Sequence, residues 1–281
     1  MKTRRWRRWI FMAVLLVGVL CLRQPVQAAE SQMLGDTMRL AVKVATALIH
    51  SEASGDSAVV KNVGFGEQLK VTEKTGNWYK VSDGYIHTSK VVLYDKNKKH
   101  IALTFDDGPD ARYTSVLLDG LRARNIKVSF FLLGEKVEQN PDLVRRMQEE
   151  GHLVGNHTYH HVQLDKLSDA KAREEILKTN NLIYETTGRY PQYMRPPFGA
   201  WKKNLELRVE MMPVFWTIDT LDWKVQNTEQ IIKTVEEKIK DGSIILMHDE
   251  YKTTVEAALR LADSLKEKGY ELVTVDELIM P

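Results

Sequence analysis

Two neighbouring carboxylates, Asp106 and Asp107, follow the apolar run 101–105 and precede a Gly-Pro pair. A short apolar run that breaks at glycine and proline is typical of a buried strand that ends in a loop. Burying two charges there is unfavourable unless a group of opposite charge pairs with them. The pair therefore predicts a bound cation, and the rest of the chain must supply its other ligands.

The candidate ligands are two histidines, His157 and His161, in the segment 157–161. They are four positions apart, so they would share one face of a helical turn. Two imidazoles and one carboxylate leave coordination positions open, as a catalytic divalent metal requires. Histidines this close are also common on surfaces and in cores, and His160 forms a competing pair with His157.

A rigid proline turn begins at Arg195 and continues to residue 199. A guanidinium can hold a carboxylate through two N–H groups. The two prolines of the turn fix the backbone and lack N–H groups of their own. The N–H groups of Phe198 and Gly199 are therefore expected to point into the site, although an arginine on a proline loop is not diagnostic by itself.

Two more polar clusters follow apolar runs. Asp219 and Asp222 stand close to Trp223, and an aromatic face beside a carboxylate often borders a sugar site. Farther along, His248 follows Leu246 at the end of another apolar run. One histidine at a strand end is unremarkable, but it becomes informative when several polar clusters share the same edge of a sheet.

The elements that must position these clusters lie in residues 99–281, where apolar segments alternate with amphipathic helices. The predicted strands are 101–105, 127–133, 152–156, 192–195, 213–219, 243–248 and 271–275. The predicted helices are 114–124, 141–150, 168–187, 228–241 and 253–268. This alternation predicts an α/β fold with a parallel sheet, open or closed into a barrel. Functional residues then gather at the carboxyl ends of the strands, where all of these clusters lie.

Residues 42–95 have a different pattern, with short alternating strands separated by glycine-containing turns and no convincing helix. The pattern predicts a small all-β barrel. The segments 66–71, 76–81 and 84–87 resemble a bacterial SH3-like domain, a family whose members often bind cell-wall peptides or glycans. The usual Asn-x-Arg after the first strand is replaced here by residues 48–51, so a spacer role is an alternative to wall binding. The charged stretch 95–99 marks the boundary to the next domain.

Five motifs of residues 99–278 together resemble the NodB-type polysaccharide deacetylases of carbohydrate esterase family 4. They are present in the family's order, at 104–109, 157–161, 195–199, 219–223 and 246–248. The resemblance implies a distorted (β/α)7-type barrel. It also implies hydrolysis of acetyl groups on a polysaccharide.

The resemblance implies a role for each matching residue. Asp107, His157 and His161 would bind the metal, and Asp106 would be the general base that takes a proton from the attacking water. Arg195 would position Asp106.

On the opposite side of the substrate, His248 would be the general acid for the departing amine, and Asp222 would orient it and keep it protonated. Trp223 and Leu246 would line the acetyl pocket. The backbone N–H of Phe198 would stabilise the oxyanion. Phe198 replaces a tyrosine that is common in the family, and a backbone role survives this replacement, whereas a hydroxyl contact would not.

The resemblance leaves the metal and the substrate open. Two histidines and one aspartate suit Zn²⁺, with Co²⁺, Ni²⁺ and Fe²⁺ as alternatives. The leading hypothesis is N-deacetylation of N-acetylglucosamine in a cell-wall polysaccharide, foremost peptidoglycan. Chitin or chito-oligosaccharides, and then acetylxylan, are the alternatives; muramic acid ranks lower because such enzymes often alter the Asp-Asp-Gly-Pro stretch. A catalytically inactive wall-binding protein is the alternative from a different class.

The first 28 residues have the pattern of a signal peptide. A basic beginning is followed by an apolar run over 9–22 and by small residues up to Ala28. The apolar run is shorter than the roughly 20 residues of a spanning helix, which favours cleavage over an uncleaved membrane anchor. The only cysteine, Cys21, lies in this segment. The sequence thus predicts a secreted, wall-associated protein without disulfides.

The charge of the chain offers no support for nucleic-acid binding. The formal charge is +2, but 1–28 contains six basic residues and no acidic residue, so the remainder stands at −4. A net negative chain has no general attraction for phosphate backbones. No obligate protein partner is inferred from the sequence either.

Overall fold

The computed structural model describes residues 31–202, 205 and 211–279. The predicted signal peptide, 1–28, and the alternative of an uncleaved anchor lie outside the described residues. Among those that are described, no helix combines the length and the apolar character needed to cross a membrane.

The N-terminal region is an antiparallel sheet, which confirms the predicted small all-β fold. Its strands are β1 (Ser31–Met33), β2 (Met38–Val42), β3 (Thr46–His50), β4 (Val59–Gly64), β5 (Gln68–Thr75), β6 (Trp78–Val81), β7 (Gly84–His87) and β8 (Val91–Asp95). The strand order is β4-β3-β7-β6-β5-β2-β8, with β1 beside β5. Alternating residues of these strands, among them Leu40, Ile49, Val71 and Ile86, form a separate hydrophobic core.

The remainder of the chain alternates strands and helices. The strands are β9 (Lys99–Asp106), β10 (Ser129–Leu132), β11 (Leu153–Asn156), β12 (Tyr193–Met194), β13 (Met212–Pro213), β14 (Ile218–Asp219), β15 (Ile244–His248) and β16 (Tyr270–Leu272). The helices are α1 (Thr114–Ala123), α2 (Gly134–Gln139), α3 (Pro141–Glu149), α4 (Asp169–Thr187), α5 (Asp222–Val225), α6 (Thr228–Lys238), α7 (Lys252–Glu267) and α8 (Val275–Leu278).

The second sheet is entirely parallel and curled, in agreement with the predicted (β/α) barrel. Its order is β13-β12-β11-β10-β9-β15-β14, and β16 pairs with the beginning of β9. No hydrogen-bonded pairing in the described part of the chain joins β13 to β14, so the seven-strand arrangement stays open there. The central strand β9 is buried from Ile101 to Asp106, because helices such as α1 and α7 cover it.

Local sequence signals explain most of the boundaries. The side chain of Ser168 accepts a hydrogen bond from the N–H of Lys171 and begins α4, and Gly188 ends the helix with a left-handed backbone, φ 72°. The predicted single strand 213–219 is wrong, because only its two ends are extended and paired. Two apolar residues between these ends have other roles. Val214 belongs to a core cluster, and Trp216 lines the cavity described below.

Candidate active site and metal centre

The strand register brings the candidate catalytic and metal-binding residues to one edge of the sheet. Asp106 on β9 is opposite Phe131 on β10 and opposite His248 on β15. Asn156, the last residue of β11, is opposite Leu132 and Met194, so His157 and Arg195 follow at the same level. Parallel strands that end in register therefore place the clusters within reach of one another.

The guanidinium of Arg195 holds Asp106 in a buried position. Arg195 is 0% exposed, and its Nη1 donates to Asp106 Oδ1 at 2.7 Å and to Thr104 Oγ1 at 2.7 Å. Its guanidinium carbon lies 4.3 Å from the centre of the Phe131 ring. Burial lowers the pKa of Arg195, while the Asp106 carboxylate opposes that shift. The buried pair fixes the orientation of Asp106 towards the site.

Asp107, His157 and His161 form a cluster of the kind that binds a divalent metal. Asp107 Oδ1 lies 3.4 Å from His157 Nε2 and 3.6 Å from His161 Nε2, and one ligand atom from each residue lies within 4.8 Å of the others. Asp107 Oδ1 is buried, and no described residue gives it a hydrogen bond. A buried carboxylate oxygen without a donor is unfavourable, and a cation bound between these atoms would satisfy it.

The tautomer of His157 also suits metal binding. Its Nδ1 lies 2.6 Å from the carbonyl oxygen of Arg195, which can only accept a hydrogen bond, so Nδ1 carries the proton. Nε2 is then left with a free lone pair that faces Asp107. A hydrogen bond from the second ring nitrogen to the backbone is the usual way in which proteins orient a histidine ligand.

The two histidines do not lie on a helical turn, so that part of the interpretation is wrong. Residues 157–161 form an irregular loop in which Thr158 and His161 have positive φ angles of 67° and 55°. Both imidazoles nevertheless face Asp107. His160 is turned away, with its Nδ1 2.8 Å from Glu175 Oε1, and it does not compete for the cluster.

The electrostatics of the cluster favour an ionised Asp107 and a neutral His161. Burial works against ionisation of Asp107, but His157, His161 and His248 together hold its pKa well below the ordinary value. Burial lowers the pKa of His161, although Asp107 opposes the shift. A carboxylate and unprotonated imidazoles are the forms that bind a metal.

On the other side of the cavity, Asp222 holds His248. Asp222 is fully buried, and its Oδ1 lies 2.8 Å from His248 Nδ1. Its Oδ2 accepts from the backbone N–H of His248 at 2.7 Å and from Thr254 Oγ1 at 2.8 Å. Burial lowers the pKa of His248, but the Asp222 carboxylate outweighs it, with smaller help from Asp106 and Asp107, and raises that pKa to about 9. His248 is therefore protonated at neutral pH.

A cavity of about 420 Å³ lies over these groups. Its walls are formed by Asp106, Asp107, His157, His161, Phe198, Trp216, Asp219, Trp223, Leu246, His248 and Tyr251. Arg195 and Asp222 lie behind this wall, where they contact Asp106 and His248. The structure thus brings all ten predicted site residues together.

The proline turn differs from the expectation in one respect. The N–H of Gly199 donates to the carbonyl of Pro196 at 3.0 Å, so it is not free to point into the site. Phe198 has a left-handed backbone, φ 60°, and its ring lies edge-on to His161 with centres 4.6 Å apart. Phe198 alone therefore remains as the candidate N–H donor of this turn.

Sequence reasoning missed several residues of the site. Trp216 and Tyr251 line the cavity, and Asn156 accepts a hydrogen bond from the N–H of Thr158 at 2.7 Å, which shapes the histidine loop. Tyr251 follows His248 closely past the end of β15, and Asn156 ends β11. Their positions at or just after strand ends were the available signal, but neither residue type is diagnostic without a structure.

Comparison with known families finds two matches along the chain. Residues 94–214 match the family described as polysaccharide deacetylase, and residues 46–91 match the bacterial SH3 domain. The two matched regions correspond to the beginning of the parallel sheet and to the antiparallel sheet.

Several proteins of similar sequence are named as peptidoglycan deacetylases. Peptidoglycan-N-acetylglucosamine deacetylase PgdA of Listeria monocytogenes is 45% identical over 183 residues, which is 65% of this chain and 39% of that protein. This chain thus spans about two fifths of the length of the Listeria protein. A peptidoglycan-N-acetylglucosamine deacetylase of Bacillus cereus is 39% identical over 189 residues, 65% of this chain and 69% of that protein.

Among solved structures, peptidoglycan deacetylase PdaC of Bacillus subtilis is similar in fold. It is 39% identical, with a TM-score of 0.64, and the match covers 66% of this chain and 92% of that one. In sequence comparison the same protein is named a peptidoglycan-N-acetylmuramic acid deacetylase. The similar proteins therefore include enzymes named for either sugar of peptidoglycan.

Proposed function

Because the chain belongs to the polysaccharide deacetylase family, we propose that it removes acetyl groups from N-acetylglucosamine residues of peptidoglycan. The observation that carries this proposal is that a metal-binding cluster, a carboxylate and a protonated histidine line a single cavity. Amide hydrolysis by water needs a cation, a proton acceptor and a proton donor around one carbonyl group.

The metal held by Asp107, His157 and His161 would lower the pKa of water and polarise the acetyl carbonyl. Zn²⁺ suits two histidines and one carboxylate with open positions. Asp106 Oδ1 is occupied by Arg195, so Oδ2 is the oxygen that accepts a proton from the attacking water.

His248 acts at the other end of the scissile bond. Its Nδ1 is bound to Asp222, so Nε2 is the nitrogen that gives its proton to the amine when the C–N bond breaks. The products are acetate and a glucosamine residue, and the two proton transfers balance the addition of one water. The N–H of Phe198 would stabilise the oxyanion, and Trp223 and Leu246, which line the cavity, would enclose the acetyl methyl group.

The decisive experiment measures acetate release by the full chain from peptidoglycan, chitin oligomers and acetylxylan. Each substrate is tested after chelation and after adding back Zn²⁺, Co²⁺, Ni²⁺ or Fe²⁺. We expect release from peptidoglycan that depends on added metal and is lost in Asp106→Asn. Release only from chitin oligomers or acetylxylan would transfer the proposal to those substrates.

The same reaction also tests which sugar of peptidoglycan loses its acetyl group. Chromatography of the digested product separates glucosamine from muramic acid, and we expect glucosamine. Detection of muramic acid without its acetyl group would show that the substrate is N-acetylmuramic acid, the sugar in the name of PdaC.

We also propose that the protein is exported and contacts the wall through its SH3-like region. The signal-like segment 1–28 and the bacterial SH3 match support this proposal. Trp78 lies on this region between the rings of His50 and His87, at centre distances of 5.3 and 5.1 Å. A mature N-terminus at Ala29, and weaker binding of Trp78→Ala to isolated walls, are the expected results.

If the full chain binds isolated walls but releases no acetate from any substrate with any metal, it is a wall-binding protein without catalysis. Wall binding and acetate release, measured together, therefore distinguish a deacetylase from a wall-binding protein without catalysis.

A further inference from the structure

The loop that carries the two histidine ligands is held from outside the cavity by one side chain of α4. Glu175 Oε2 accepts hydrogen bonds from the backbone N–H groups of Tyr159 at 3.1 Å and of His160 at 2.9 Å. Its Oε1 lies 2.8 Å from His160 Nδ1. Three groups between His157 and His161 thus share one carboxylate as their acceptor.

The loop needs such support because its backbone is strained. Thr158 and His161 both have positive φ, a region that side chains other than glycine rarely adopt and that is especially unfavourable for a β-branched residue. Strained conformations of this kind persist only when the surrounding contacts fix them. Without an acceptor, the N–H groups of Tyr159 and His160 would favour a different path of the chain.

The contacts around Glu175 make the support rigid. Asn156 donates to the carbonyl of Ile176 at 2.8 Å and to Asn180 Oδ1 at 2.7 Å, which ties the beginning of the loop to the same helix. The ring of Tyr159 lies against Gly134, where a Cβ would come within 2.4 Å of it. Helix α4 therefore offers Glu175 from a fixed position.

We propose that Glu175 is a positioning residue for the metal centre. By holding the backbone between the ligands, it sets the separation and direction of His157 Nε2 and His161 Nε2. The inference rests on the proposed function only in taking Asp107, His157 and His161 as the metal ligands. Glu175 lines no part of the catalytic cavity and acts through the loop.

The test is the Zn²⁺ dissociation constant of the full chain, measured by competition with a chromophoric chelator. Removing a partner that orients a metal ligand typically weakens metal binding 10–100-fold. We expect about that loss for Glu175→Ala and no change for Glu174→Ala, because Glu174 is an exposed glutamate on the same helix.

Two conservative variants separate hydrogen bonding from charge. Glu175→Gln keeps an oxygen at the same reach and is expected to bind Zn²⁺ within about threefold of the unmodified chain. Glu175→Asp keeps the charge but withdraws the oxygens by one carbon, and we expect it to weaken binding about tenfold. The opposite order, with Asp near normal and Gln weak, would overturn the proposal, as would an unchanged constant for Glu175→Ala.

Circular dichroism and thermal unfolding of the metal-free proteins show whether each variant is folded. If Glu175→Ala does not fold, the order of Glu175→Gln and Glu175→Asp decides the question. Failure of the proposed function has a separate signature, which is the absence of acetate release while the Zn²⁺ dissociation constants keep the expected order. Full Zn²⁺ binding by His157→Ala would instead remove the ligand assignment on which the inference rests.

Discussion

At the scale of single residues, the backbone between Asp106 and Asp107 separates two carboxylates that are adjacent in sequence. Asp106 is the last residue of β9 and is held by Arg195. Asp107 has a left-handed backbone, φ 66°, which directs its side chain towards His157 and His161. In the proposed mechanism, Asp106 accepts a proton and Asp107 binds the cation.

Loss of the proposed general base and loss of a proposed metal ligand should therefore have different effects. Asp106→Asn should retain Zn²⁺ but lose at least about 100-fold in activity, the usual contribution of a general base. His157→Ala should lose Zn²⁺ because it removes a ligand. Metal analysis by mass spectrometry, together with acetate release, measures both, and equal loss of Zn²⁺ from the two variants would contradict the assignment.

Asp222 predicts the pH dependence of activity. Since the acid must be protonated, kcat/KM should fall as pH rises through the pKa of His248, which Asp222 raises to about 9 against the opposing effect of burial. In Asp222→Asn that pKa falls towards its ordinary value, so the alkaline limb should move to lower pH by roughly 1–2 units. An unchanged alkaline limb would show that His248 is not the acid.

Asp249 is a buried carboxyl group that the reaction does not use. It is 0% exposed, accepts a hydrogen bond from Thr114 through Oδ2, and has no partner for Oδ1 among the described residues. Burial raises the pKa of Asp249 to about 7, with a smaller contribution from Glu250. The protonated form is the one that the fold favours.

The raised pKa of Asp249 makes the stability of the folded protein depend on pH. A carboxyl group with a raised pKa contributes stability that is fully present below its ordinary pKa of 3.8 and is lost as pH rises through about 7. Asp249→Asn cannot ionise, so its free energy of unfolding should rise relative to the parent between pH 5.5 and 8.5. Urea unfolding of the metal-free proteins measures this, and a difference that stays constant with pH would disprove it.

At the scale of elements, the sequence predicted the sheet well because its signals are local. The apolar run 101–105 lies within β9, and the predicted helix 168–187 matches α4 at both ends because Ser168 and Gly188 cap it. The short helix α2 was missed, since its six residues contain too few apolar positions to show a period.

The histidine loop shows how two residues can be predicted to lie together for an incorrect local reason. The spacing of His157 and His161 predicted a shared helical face, whereas the structure turns them together through positive φ angles. The contacts that stabilise this path come from α4 and from Arg195, which are distant in sequence. No local pattern encodes them, so the loop could not be derived from its own residues.

A glycine in the SH3-like region gives a prediction at the same scale. Gly84, the first residue of β7, has φ 148°, and a Cβ there would lie 2.2 Å from the carbonyl oxygen of His50. Gly84→Ala should destabilise this region by at least about 2 kcal/mol, because backbone atoms must move. Gly55→Ala is the matched control, since no atom of the described residues lies within 4 Å of its added Cβ. Equal free energies of unfolding for the two variants in urea would contradict the prediction for Gly84.

At the scale of the whole molecule, the two largest hydrophobic clusters of the described residues share no member. One lies inside the antiparallel sheet, and the other lies between the parallel sheet and its helices. Only three residues, 96–98, separate β8 from β9. Separate cores favour separate cooperative unfolding units, and the metal cluster belongs entirely to the second core's region.

This organisation predicts that Zn²⁺ stabilises one part of the chain and not the other. Calorimetry of the metal-free protein should show two transitions, of which only the larger moves when Zn²⁺ is added. At a free concentration of 100 times Kd, binding stabilises by about 2.7 kcal/mol. For a region of this size that corresponds to a rise in Tm of roughly 5–10 °C.

The SH3-like transition is the internal control, because it experiences the same Zn²⁺ without the cluster. His157→Ala is the second control, and neither of its transitions should move. A chelator should reverse the shift in the unmodified chain. If both transitions moved together by the same amount, the two cores would unfold as one unit, and the metal would stabilise the whole described chain rather than the parallel sheet alone.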